Sequence, residues 1–136
     1  MKADEQFVDT GYWLAILNNR DQYHERALAL SDELQGPFVT TDAVLFEVGN
    51  ALSKPPWRAL ASEFFRNLTS DPNVRIVRTS ADLYDRAVAH FIARPDKSWG
   101  LTDCLSFVVM QDRGIYEALS ADHDFEQAGF RALLLD

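Results

Sequence analysis

Cys104 is the only cysteine in this chain, so no internal disulfide can form and no thiolate cage for zinc can be built. A lone thiol inside an apolar run reads as a small core residue rather than a nucleophile. The three histidines, His24, His90 and His123, are scattered and show no zinc-type spacing. Neither a GxxxxGK[ST] loop nor a GxGxxG turn occurs, which removes the usual phosphate cradles of nucleotide-dependent enzymes. The longest near-apolar run, Cys104 to Met110 with Ser106 its one polar member, is far short of the about 20 residues a membrane helix needs. Only six residues precede Phe7, too few for a secretory signal, so a cytoplasmic protein is expected. Internal repeats, low-complexity tracts and linker-like stretches are also missing.

Positive charge is scarce as well. Thirteen Lys and Arg stand against 21 Asp and Glu, a net charge of −8 that argues against broad electrostatic attraction to nucleic acid. That objection weakens if several acids gather around divalent cations, because the excess charge is then local and largely neutralised. What remains is a balance of 47% hydrophobic and 25% charged residues over 136 positions, which suits one globular domain spanning 1–136 with a core of its own.

Along the chain, hydrophobic patterning predicts strands separated by helical segments. Gln6 to Val8 reads as the end of a strand, followed by a helix from Gly11 to Leu17 and a polar break at Asn18 to Arg20. Asp21 is placed to cap a helix reaching about Gln35, where Gly36 and Pro37 stop it. Phe38 to Thr40 is a second strand, and Thr41 can cap a helix with Val44, Leu45, Val48, Ala51 and Leu52 on one side. Lys54, Pro55 and Pro56 end that helix and open another, through about Leu68. Val74 to Val77 is a third strand. Thr79 with Asp82 resembles a capping box for a helix to about Phe91. Thr102 to Arg113, apolar on nearly every side and closed by Gly114, has the pattern of a helix buried mid-fold. Two last strands are expected near Glu117 to Leu119 and Ala132 to Leu135. The alternation predicts an α/β fold with a central, mainly parallel β-sheet flanked by helices on both faces. In such sheets ligands bind at the carboxyl ends of the strands.

Acids stand at those ends. Asp9 follows Phe7 and Val8 directly; Asp122 follows Ala118 to Ser120, with Asp124 two residues on. Asp103 opens the buried helix, where the helix dipole favours its charge. Glu47 lies at the edge of its helix's apolar stripe. Each has an ordinary alternative: helix caps for Asp9 and Asp103, turn residues for Asp122 and Asp124, a boundary contact for Glu47. Together they could converge on one cleft. Like charges packed closely repel unless a cation intervenes, and all-oxygen ligation suits Mg²⁺ or Mn²⁺.

The pieces Phe7-Val8-Asp9-Thr10, Thr41 to Asn50 around Glu47, Trp99-Gly100-Leu101-Thr102-Asp103-Cys104, and Leu119 to Phe125 with Ala128-Gly129-Phe130 span nearly the whole chain. In that order they resemble the PIN-domain family, and within it the VapC-like toxin ribonucleases. The resemblance implies a metal-dependent endoribonuclease with Asp9, Glu47, Asp103 and Asp122 as catalytic and metal-binding residues. It implies Asp9 and Asp103 as direct ligands, Glu47 as a ligand or as the group positioning the attacking water, and Asp122 acting directly or through a water shell. Thr10, Asn50, Thr102 and Asp124 take supporting positions by the same comparison, and either Asp122 or Asp124 can be the fourth acid. RNA as substrate, an antitoxin protein as partner and a homodimer are expected from the same source. Ser120 stands where the family often has Thr, which preserves a hydroxyl.

Two substrate-contact candidates remain open. Lys54, Trp57 and Arg58 could touch phosphate or stack on a base, or be a solvated loop; Trp99 could act near Asp103 or only pack. Three rival readings differ in what they require. A receiver-like signalling domain needs an Asp after a middle strand and a late Lys, yet Val74 to Val77 leads into Arg78 and Thr79 and no Lys follows Lys97. A haloacid-type phosphatase needs Asp-x-Asp after the first strand, and Asp9-Thr10-Gly11 supplies one acid. A non-catalytic PIN-like interaction module would not need all four acidic positions filled.

Overall fold

The computed structural model describes residues 5–136; residues 1–4, which belong to the N-terminal segment read above as too short for a secretory signal, lie outside the described residues. The elements run β1 (Gln6–Val8), α1 (Thr10–Leu17), α2 (His24–Glu33), β2 (Phe38–Thr41), α3 (Asp42–Ala51), α4 (Trp57–Thr69), β3 (Val74–Val77), α5 (Ala81–Ala93), α6 (Leu101–Arg113), β4 (Glu117–Leu119), α7 (His123–Gln127) and β5 (Arg131–Ala132), with a closing 3-10 turn at Leu133–Leu135. All strand pairs are parallel, in the order β3-β2-β1-β4-β5. The α/β architecture expected from the alternation is therefore present.

That order fixes the position of the helices. From β1 the chain steps outward through β2 to β3, then returns across the sheet to β4 and continues outward to β5. Right-handed crossovers put the helices of the outward path on one face and those of the return path on the other. The packing agrees: α1 touches α2 and α3, and α3 touches α4, while α6 touches α5 and α7. The direction of winding reverses between β1 and β4, so the crevice at their carboxyl ends is the switch point where ligands settle in open α/β sheets.

Several boundaries differ from the sequence expectation, each for a local reason. Asp21 does not cap α2. Its carboxylate accepts from the Tyr23 amide at 2.8 Å, forming a turn just before a helix that starts at His24 and ends at Glu33. Ser80, not Thr79, caps α5, accepting from the Leu83 amide at 3.1 Å. Thr79 is drawn away because its amide and hydroxyl both donate to Asp42, at 3.0 and 2.6 Å. The last strand is only Arg131–Ala132, and the leucines after it wind into the 3-10 turn. Thr41 does cap α3, accepting from Val44 at 3.2 Å, and Gly114 closes α6 at φ +68°, a conformation glycine adopts without steric cost.

The core meets the site through its aromatics. Phe107 on α6 packs edge-on against Trp99 at 5.1 Å and against Phe125 at 5.0 Å, and Phe125 lies 6.3 Å from Phe7. Phe107 is one helical turn past Asp103, Phe7 two residues before Asp9, and Phe125 the residue after Asp124. One buried cluster thus locks three of the four elements that present the acids, Glu47 on α3 being the exception.

Candidate metal centre

The side chain of Asp9 leaves β1 at its carboxyl end. Its backbone carbonyl accepts from Tyr12 at 3.2 Å and so opens α1, but its carboxylate makes no capping bond. It turns instead toward β4. The parallel register pairs Val8 with Leu119, which sets Asp9 beside Ser120, and the buried Ser120 hydroxyl donates to Asp9 Oδ2 at 2.9 Å. The helix-cap alternative for this side chain is excluded by geometry. Burial pushes the Asp9 carboxyl up to about 7, opposed by the Ser120 bond and the Thr10 amide and reinforced by the charges of Asp103 and Asp122.

Asp103 comes to the same crevice from the start of α6. Its Oδ2 accepts from the Gly100 amide at 3.0 Å, the reciprocal half of a capping box whose other half a glycine cannot supply. Capping and site placement therefore coexist, because one oxygen holds the helix end while the other is unengaged by that bond. Burial, joined by the charges of Asp122, Asp124 and Glu47, raises its carboxyl to about 6 against the Gly100 hydrogen bond.

Asp122 and Asp124 arrive together. Asp122 caps the short helix α7 by accepting from the Asp124 amide at 2.9 Å, while its own amide donates to Ser120 Oγ at 3.0 Å. One oxygen each from Asp103, Asp122 and Asp124 lie within 4.8 Å of one another. The sequence left open which of Asp122 and Asp124 joins the cluster, and the fold brings both. Burial and the neighbouring Asp122 charge raise the Asp124 carboxyl.

Glu47, exposed on α3, is tied in from the side: the Thr10 hydroxyl donates to its Oε1 at 2.6 Å. Asp9, Thr10, Glu47, Asp103 and Asp122 all line one open cleft of about 890 Å³, walled also by Asp21, Gln22, Tyr23 and His123. Of the wall residues in the α1–α2 connection, Asp21 reads from the sequence only as a helix cap, and Gln22 and Tyr23 carry no signal. Two of the supporting candidates lie elsewhere. Asn50 lines a hollow beside Asp42, Phe65 and Arg78, and Thr102 lines another with Ala43, Tyr84 and Leu105. Trp57 is exposed with Lys54 and Arg58 around it, away from the cleft lining, and Arg58 donates to the Ser53 carbonyl at 3.0 Å. Trp99 is buried, its indole N–H donating to Gln127 at 3.3 Å, so its packing alternative is the one realised. Burial pushes the Cys104 thiol up, which leaves it unreactive within the core.

The donor set tests what the cleft can hold. It is built from carboxylate oxygens, hard ligands that match Mg²⁺ or Mn²⁺ and offer little to zinc. Desolvation and crowding of like charges raise two of the acids well above the ordinary carboxylate range, Asp9 to about 7 and Asp103 to about 6, the condition a divalent cation relieves. The residues fit such an ion.

The sequence pattern of the PIN domain matches residues 7–131. The Mycobacterium tuberculosis protein named 23S rRNA-specific endonuclease VapC20, matched in two strains, is 32% identical over 126 residues, covering 91% of this chain and 94% of its own length. The crystal structure of M. tuberculosis VapC20, described as a sarcin-ricin loop cleaving toxin, is similar with a TM-score of 0.85 at 28% identity, covering 93% of this chain and 96% of that one. With its sheet order, its switch-point acids and this match over nearly its full length, the chain belongs to the PIN-domain family.

Proposed function

We propose that this chain is a divalent-cation-dependent endoribonuclease and the toxin half of a toxin–antitoxin pair, acting as one domain over residues 1–136. The observation that carries the reading is the convergence of Asp103, Asp122 and Asp124 within 4.8 Å, in a cleft shared with Asp9 and Glu47. Asp9, Asp103, Asp122 and Asp124 would hold Mg²⁺ or Mn²⁺, with Glu47 at the edge. When bound, such an ion lowers the pKa of a water and offsets charge on the phosphate and the leaving oxygen.

The chain's own groups supply the rest. Ser120 orients Asp9 through the 2.9 Å bond, and the Gly100 amide fixes the rotamer of Asp103. Thr10 holds one Glu47 oxygen and leaves Oε2 outside that bond, able to accept a proton from the attacking water. The relative's name supports the sarcin-ricin loop of 23S rRNA as the substrate. An antitoxin would silence the site by placing an Arg or Lys side chain among the carboxylates, where its charge substitutes for the cation. A homodimer in the cytoplasm completes the reading; no helix among the described residues is long and apolar enough to cross a membrane.

The test is cleavage of a synthetic sarcin-ricin stem-loop RNA by the purified chain. Cleavage is expected with millimolar Mg²⁺ or Mn²⁺, none with EDTA, and at least a hundredfold less, as a rough estimate, for Asp9→Asn. Equal cleavage with EDTA would refute the cation requirement.

A further inference from the structure

RNA brings negative charge to a cleft that is already acidic. Asp9, Asp21, Glu47, Asp103 and Asp122 line it, and among the described residues no Lys or Arg does. A bound cation serves the scissile phosphate, so inside the cleft the flanking phosphates meet carboxylates instead of the positive partners they need. Grip on the strand within the cleft must then come from the bases. Every base has a π-face, and stacking on an aromatic ring holds it without a cation.

Tyr23 supplies such a ring in the same cleft. Among the described residues that line it, Tyr23 carries the one benzenoid side chain, with Leu14 adding apolar wall. The tyrosine is half-buried, one part of it packed against the core while another borders the cleft. None of the ring pairs among the described residues includes it, so no aromatic partner from the chain occupies its face.

The segment that carries the ring is braced. Asn18 Oδ1 accepts from the Arg20 amide and the Asn18 carbonyl from the Asp21 amide, both at 3.0 Å. Asp21 Oδ1 then accepts from Tyr23 N–H at 2.8 Å, and the Asp21 carbonyl from His24 N–H at 3.0 Å. The His24 ring ties the start of α2 back to α1, its Nδ1 donating to the Ala15 carbonyl at 2.6 Å. Tyr23 itself begins α2, its carbonyl accepting from Ala27 at 2.8 Å. A ring held in this way is pre-organised, and a base settling on it pays little to order the protein.

We propose that Tyr23 is the platform on which an unpaired RNA base beside the scissile phosphodiester stacks, so that the cleft takes the strand by a base and not by its flanking phosphates. The inference rests on the nuclease reading above and names the part of the nucleotide that the site grips. It confines substrates to looped or single-stranded RNA, because only an unstacked base can turn a face to the protein.

The experiment compares the parent with Tyr23→Phe and Tyr23→Leu on the sarcin-ricin stem-loop with Mn²⁺, measuring KM and kcat. The same RNA is also made with an abasic residue on one or the other side of the scissile bond. Phenylalanine keeps the ring; leucine keeps apolar packing against the core and removes the π-face. Tyr23→Leu should raise KM about tenfold with kcat within about twofold, and Tyr23→Phe should stay within about threefold of the parental KM. One of the two abasic RNAs should raise the parental KM about tenfold, and on that RNA Tyr23→Leu should lose nothing further, since ring and base act as a pair. Mn²⁺ affinity by calorimetry should match the parent in both variants. Parental KM in Tyr23→Leu, equal losses in Tyr23→Phe and Tyr23→Leu, or two abasic RNAs bound as well as the intact one would each overturn the inference. So would a loss of Mn²⁺ affinity in Tyr23→Leu, which would make Tyr23 a support of the carboxylates. Fluorescence anisotropy with labelled stem-loop and Ca²⁺ reads binding apart from cutting. A parent that binds this RNA and cleaves it with neither Mg²⁺ nor Mn²⁺ overturns the nuclease reading, while the tenfold difference between parent and Tyr23→Leu in binding still decides the role of the ring.

Discussion

The Ser120 hydroxyl donates to Asp9 Oδ2 at 2.9 Å and accepts from the Asp122 amide at 3.0 Å, so a single buried oxygen ties the ends of β1 and β4 to each other. Sequence spacing cannot reveal such a link, because Asp9 and Ser120 stand 111 residues apart. The same holds for Thr10 and Glu47, separated by 37 residues and joined at 2.6 Å. What the sequence did show was the place of Asp9, Asp103 and Asp122 at strand or helix ends and of Glu47 at the edge of a helix's apolar stripe; which of them meet depends on the order of strands in the sheet. Ser120→Ala should leave the chain folded but cost about 1–3 kcal/mol, the usual range for stripping a buried charged group of a partner. It should also raise the Asp9 carboxyl above about 7, since the lost bond was lowering it. Mn²⁺ titrations across pH would then show the affinity rising at higher pH than in the parent. An unchanged profile would mean Ser120 does not govern Asp9.

Among the elements, α6 was the most legible, because Cys104 through Met110 are all buried and Gly114 marks the end without ambiguity. The short helix α7 was not, since five residues are too few to show a period and Asp122 and Asp124 read equally well as a turn. The cap of α5 was misplaced by one residue because Thr79 and Ser80 are both capping types, and the choice was made by Asp42, remote in sequence. In α6 the two ends do separate work: Asp103 at the start belongs to the site, while Gly114 at the finish only terminates the helix. A Cβ at Gly114 would meet nothing within 4 Å, so its penalty comes from the backbone alone. Gly114→Ala should lower stability by about 1–2 kcal/mol in denaturant unfolding. It should leave kcat at the parental value, as the change lies roughly 16 Å along the helix from Asp103. A matching loss of kcat would show that the helix transmits the strain.

For the whole molecule, the net charge of −8 is partly a property of one cleft. In the folded chain Asp9 keeps its proton to about 7 and Asp103 to about 6, whereas unfolded both lose it near 3.8. From about pH 4 to about pH 7 the folded state therefore binds more protons, so these two groups stabilise the apo fold fully at the acid end and lose that contribution as pH rises. Cation binding displaces the same protons and gains over the same window. The increase in melting temperature caused by millimolar Mn²⁺ relative to EDTA should widen between about pH 5 and about pH 8. A constant increase would place the cation away from Asp9 and Asp103.

Asp103→Asn separates the role of these carboxylates as one cation-dependent cutting centre from helix capping. The amide keeps an oxygen for the Gly100 N–H, bonded at 3.0 Å in the parent, and asparagine caps about as well as aspartate. It removes a charge that a hard cation requires and that its neighbours repel. Parent and variant should be assayed side by side for Mn²⁺-dependent cleavage of the sarcin-ricin stem-loop and for melting in EDTA. Cleavage is expected to vanish while apo melting holds or rises. A folded Asp103→Asn protein that cleaves at the parental rate would show that these carboxylates are not one cutting centre.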